Sequence, residues 1–261
     1  MYTIATLDDM RRHLNLSAND TAEDDDLLQR LQTASQLIES LTQRRYCPRL
    51  KTRDIPLDRA GQRELILPDD LLELRALSIG GVVQNLADYR LLPDDRDAPA
   101  SVLQVVENAT AGFADDYASN VSIEGVWGWH DRWSEAWRAS GEALRGAGLD
   151  ARADAIAVND AAGSDQDGRG PRFQVGQLLR IDDEYLRVTA IDNENNRLFV
   201  LRGVQGTAAA AHRPGASIDA YTPALAIRDL TLRFAELMSK SAGPLASEST
   251  PLLERMRRVT A

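Results

Sequence analysis

Hydrophobic spacing changes period several times along this chain. Behind Thr6, a natural N-cap with Asp9 three positions on, Leu7, Met10 and Leu14 fall on one face, and Asn15 offers a left-handed stop. A polar loop leads to Asp24 to Arg45, where Leu27, Leu28, Leu31, Ala34, Leu37, Ile38 and Leu41 recur at helical spacing before Pro48. From Lys51 to Val126 the pattern is strand-like. Arg63 to Leu67, Leu74 to Ile79, Val82 to Gln84, Tyr89 to Leu92, Ser101 to Val106 and Asn120 to Val126 are the predicted strands, and Leu71 and Leu72 can form either strand or one helical turn. All four tryptophans, Trp127, Trp129, Trp133 and Trp137, follow within eleven positions, and Trp133 and Trp137 stand four apart, as on one side of a helix.

Beyond a Gly- and Ala-rich stretch, Ala155 to Val158 predicts a brief strand and Ala161 to Pro171 a polar loop. Gln177 to Ile191, Arg197 to Arg202 and Ala216 to Tyr221 then predict a meander that forms a small barrel or sandwich. Helical spacing returns from Pro223, with Ile227, Leu230, Phe234, Leu237 and Met238 on one face up to Gly243-Pro244. A last helix opens on Thr250 and Pro251, with Leu252, Leu253, Met256 and Val259 apolar. Each helix has a single apolar side. The expected fold is therefore α+β: a helical-bundle core of N- and C-terminal helices, a strand-rich middle segment, and an inserted β-barrel or sandwich module. In domain terms, residues 1–134 and 222–261 form the core and 135–221 the insert.

Charge changes the picture of possible partners. The formal net charge is -10, and acids outnumber bases 23 to 14 over residues 1–134. That balance argues against an ordinary DNA-binding module, whose affinity comes from phosphate neutralisation by Lys and Arg. The one cysteine, Cys47, excludes an internal disulfide framework and fits a reducing cytoplasm. The sequence shows neither a signal-peptide pattern nor a run of eighteen apolar residues, so no membrane association is expected.

Candidate chemistry is sparse. Asp182-Asp183-Glu184 is the densest acidic group of the β segment, but adjacent strand residues face opposite ways, so a solvated strand or turn is the reading rather than a cation site. His13, His130 and His212 lie far apart without zinc-ligand spacing, and His130-Asp131 has no nucleophile in a recognisable context. Gly203 to Thr207 reads as a β turn rather than a phosphate loop. The tryptophans fit a structural junction, an interface, or a stacking platform for sugars or bases.

The order of TLDDMRRHLNL, DDDLLQRLQTASQLIESLTQRRYCP, LILPDDLLELRALSIGG with DYRLLP, and NVSIEGVWGWHDRW resembles the gp6-like head-tail connector (adaptor) proteins of tailed phages, prophages and gene-transfer agents. PRFQVGQLLRIDDEYLRVTAI with LFVLRGVQGTAAAAHRPG is similar to a β module that recurs in phage structural proteins. The resemblance implies a non-enzymatic virion protein without cofactor, located at the neck and made in the host cytoplasm. It implies a ring of copies, commonly twelve, beneath the portal protein, a stopper or tail-completion protein below, and DNA passing through without sequence-specific binding. A portal or subunit contact falls on Leu252, Leu253, Arg255, Met256, Arg257 and Arg258. Trp127, Trp129, Trp133 and Trp137 mark the junction of core and insert. The competing expectation is a virion-associated module that recognises a glycan or protein through the β insert and the tryptophans.

Overall fold

The computed structural model describes residues 2–17, 21–95, 97–107, 112–113, 120–240 and 257. Among them are twelve β-strands and three α-helices, and the strands form two six-stranded antiparallel sheets. This overturns the expected helical-bundle core: the protein is mostly β. The contacts group the chain into two units, residues 1–43 with 135–261, and residues 44–134.

In unit 44–134 the strands are β1 (Arg49–Pro56), β2 (Glu64–Ile79), β3 (Val82–Val83), β4 (Tyr89–Leu92), β5 (Ala100–Val105) and β6 (Asn120–Trp127). Their order is β1-β6-β2-β5-β4, with β3 folded back on β2. The two strands predicted on either side of Pro68 are one. Strand β2 pairs with β5 from Glu64 to Leu71 and with β6 from Leu71 to Ile79, and the register shifts between Ile66 and Leu71 take up the proline. Where β2 bulges, its backbone presses on β6: a Cβ at Gly125 would stand 2.4 Å from the Glu73 carbonyl oxygen. Only glycine fits there. Leu65, Leu67, Leu71, Leu77, Leu103, Val121, Ile123 and Trp127 are among the residues that fill the core of this unit.

The other unit contains α1 (Leu7–His13), α2 (Asp24–Thr42) and α3 (Leu225–Lys240), together with β7 (Trp137–Ala143), β8 (Ala155–Ala157), β9 (Leu178–Ile181), β10 (Glu184–Asp192), β11 (Arg197–Leu201) and β12 (Ser217–Tyr221). Thr6 closes a capping box with Asp9, and Asn15 and Gln43 adopt left-handed backbone after α1 and α2. The apolar faces of the helices meet one another: Leu27, Leu31, Ala34 and Ile38 of α2 and Ile227, Leu230 and Phe234 of α3 are buried. Arg11 of α1 holds Asp24 at the start of α2 through a two-pronged ion pair.

The sheet of this unit runs β7-β12-β9-β10-β11-β8. Just past β7, the N–H of Arg145 donates to the carbonyl of Ala157 in β8 and brings the two end strands together. Leu179, Ile181, Leu186, Val188, Leu198, Val200 and Ile218 fill the interior, and none of the residues in either β core is helical.

Candidate functional site

The tryptophans fall on both sides of the point where the chain leaves one unit for the other. Trp127 ends β6, is buried, and donates its Nε1–H to the carbonyl of Lys51 at 2.9 Å. Trp129 meets Tyr46 edge-on at 5.5 Å, with the Arg44 guanidinium 5.4 Å from its ring. Trp133 opens a single 3₁₀ turn, Trp133–Glu135, and donates Nε1–H to the Glu73 carboxylate at 2.9 Å. These three belong to unit 44–134. Trp137 begins β7 of the other unit, beside Tyr185 and Tyr221, with Arg180 4.6 Å from its ring. The helix expected to carry Trp133 and Trp137 is absent, and the chain there runs from a 3₁₀ turn into a strand. Trp127 and Trp133 are buried and hydrogen-bonded within their unit, so they present no stacking platform.

Of the expected portal or subunit contact, Leu252, Leu253, Arg255, Met256 and Arg258 lie outside the described residues, and Arg257 is exposed. The final helix expected from Thr250 also lies outside them. His13 pairs with Glu236 of α3 at 2.9 Å. His130 is buried, and its Nδ1 accepts the backbone N–H of Arg132 while the Asp131 carboxylate stands 3.6 Å away.

The densest polar cluster is one that spacing did not bring together. Between β9 and β10 the chain turns on Asp182 and Asp183, with Asp182 at φ 51°. Glu184, the next residue, is buried rather than solvated. Its carboxylate accepts Nε–H and Nη2–H of Arg202, both at 2.7 Å, and the backbone N–H groups of Gly203 and Ala210 at 2.9 and 3.0 Å. His212 lies between two carboxylates, its Nδ1 2.7 Å from Asp182 and its Nε2 2.8 Å from Glu184. Burial alone would raise the pKa of Glu184, but the hydrogen bonds from Arg202, Ala210, His212 and Gly203 outweigh it and bring the value from 4.5 to about 2.

Arg202 is used completely. Besides its two bonds to Glu184, it donates to the carbonyls of Asp150, Ala153 and Ala210 at 2.8, 2.7 and 2.6 Å, so all five guanidinium N–H groups have acceptors. Gly203 sits at φ 58°, where a Cβ would stand 2.9 Å from the N of Ala209. Thr207 accepts the N–H of Tyr185 and donates to Val204. His212 exchanges two backbone hydrogen bonds with Leu149. Arg202, Gly203, Thr207 and His212 therefore tie the loop 202–212 and the 150–153 segment to the start of β10. The sequence signal was present in RGVQGTAAAAH, but the partner, Glu184, lies eighteen residues before Arg202 on another strand.

This arrangement holds backbone in place. Among the described residues, no group of three or more His, Cys, Asp or Glu side chains is placed to hold a metal ion. No described helix is long and apolar enough to cross a membrane.

No family model and no curated protein matches the chain. Among solved structures it is similar to a chain from one described as "Neck of empty GTA particle computed with C6 symmetry", at 26% identity, over 50% of this chain and 68% of that one, with a TM-score of 0.35.

Proposed function

We propose that this protein is a non-enzymatic structural component of a phage-like particle, a head-tail connector of the neck. The order of the sequence motifs, from TLDDMRRHLNL through NVSIEGVWGWHDRW to LFVLRGVQGTAAAAHRPG, carries the reading. What those residues do in the fold supports a structural role. The motif side chains Arg202, Thr207 and His212 are all engaged in holding backbone, and Trp127 and Trp133 are bonded inside their unit.

In this proposal the copies form a ring against the portal protein and neighbour one another, with a stopper or tail-completion protein below. The segment Leu252 to Val259 docks on the portal. The acidic excess of residues 1–134 suits a passage for DNA, because a wall that gripped phosphates would hold the duplex back. Negative-stain electron microscopy of the protein mixed with its portal tests this. Rings seated on portal assemblies are the expected result, and failure to join any portal-containing particle refutes it.

A further inference from the structure

Within the unit formed by residues 1–43 and 135–261 lies a cleft of about 460 Å³. Its walls come from the N-terminal segment and α1, the loop 169–177, and the start of α3. Arg12, Arg138, Arg169 and Arg228 all line it, against Asp9 as the one acid among the described lining residues. Two of these cations are already matched: Arg138 is 2.6 Å from Asp165, and Arg12 bonds to Asp9 and to the carbonyl of Gly170.

The other two are poorly matched. Arg169 has a side chain 66% exposed, and its closest carboxylate, Asp167, is 3.9 Å away. Arg228 meets the carboxylate of Asp229, its neighbour in sequence, at only 3.4 Å, and its Nε is buried without a hydrogen-bond acceptor. Arg228 also stands in the first turn of α3, which contains no acidic residue. A cation there faces the positive end of the helix dipole, an unfavourable placement that an incoming anion reverses.

We infer that this cleft binds an acidic peptide segment of a partner protein, with Arg228 and Arg169 holding its carboxylates. Guanidinium groups match carboxylates with paired N–H bonds. Leu178, Tyr221, Pro223 and Leu232 supply apolar wall, and Gln174 and Gln177 supply amide groups, a mixture that suits a peptide better than a bare inorganic anion. A duplex does not enter a cleft of this volume. The inference is independent of the connector reading, since any acidic partner satisfies it.

The probe is a fluorescein-labelled peptide, Asp-Leu-Glu-Asp-Leu-Glu with blocked ends, followed by fluorescence anisotropy on the full chain. Saturable binding is expected, weakened at least about tenfold by Arg228→Gln and again by Arg169→Gln, each lost charge-assisted bond being worth a factor of that order. The Asn/Leu/Gln version of the peptide should not bind. Because Arg169 is largely exposed, Arg169→Gln leaves the fold intact and keeps the test valid if Arg228→Gln melts early. Absence of binding, or binding indifferent to both substitutions, overturns the inference. So does an equal, arginine-dependent affinity for inorganic phosphate or a single-stranded oligonucleotide, which makes the cleft a general anion site.

Discussion

Replacing Arg202 by methionine removes the guanidinium from the centre of the loop clamp while keeping much of its aliphatic volume. The carboxylate of Glu184, 2% exposed, then loses its two charged donors, and the carbonyls of Asp150, Ala153 and Ala210 lose theirs. Breaking a buried ion pair from one side costs about 3–5 kcal/mol, because the remaining charge stays buried without compensation. For a unit of this size, each kcal/mol lowers Tm by about 2–4 °C, so a fall of about 6–20 °C is expected by calorimetry. Arg30→Met is the control. Arg30 pairs with Asp26 on the exposed side of α2, and its loss should cost below about 1 kcal/mol. Combining Arg202→Met with Glu184→Gln should be milder than the sum of the two, with a coupling of about 1–3 kcal/mol. Additive effects, or a Tm for Arg202→Met equal to that of the control, would refute the clamp.

Glu184 also gives the unit a defined pH dependence. Its pKa in the fold is depressed from 4.5 to about 2, so its contribution to stability is complete above pH 4.5 and disappears as pH falls toward 2. Urea midpoints measured between pH 5 and pH 2.5 should fall less in Glu184→Gln than in the parent, after allowance for the lower starting stability. Gly125→Ala forces a methyl onto the Glu73 carbonyl and should cost at least about 1–3 kcal/mol; three of the four tryptophans share that unit, so urea unfolding followed by fluorescence reads it directly. Thr6→Ala removes the N-cap of α1 and the hydroxyl bonded to Gln174, with an expected loss of about 1–2 kcal/mol by thermal unfolding.

The sequence was informative where side chains alternate cleanly and silent where they do not. Thr6, Asp9 and Asn15 announced α1, and the apolar positions of α2 and α3 announced those helices, because capping and helical periodicity are local. Strand β7 escaped notice because two of its inward residues, Ser140 and Glu142, are polar. Ser140 donates to the Ile218 carbonyl, and Glu142 is held by Arg172 and the N–H of Asn159, so both are buried without breaking any rule except hydrophobic alternation. Strand β1 is an edge with charged Arg49, Lys51 and Arg53, which a hydrophobicity pattern does not mark. These two omissions, with the true length of β2, tipped the expected balance toward helices. The Arg202-Glu184-His212 cluster was hidden for a different reason: it depends on strand pairing that places residues eighteen and twenty-eight positions apart side by side.

The connector proposal is tested most directly by deleting the gene in its native host and imaging purified particles by electron microscopy. The expected particles are DNA-filled heads separated from tails, with assembly restored by the wild-type gene supplied in trans. Intact tailed particles in the deletion strain would contradict it.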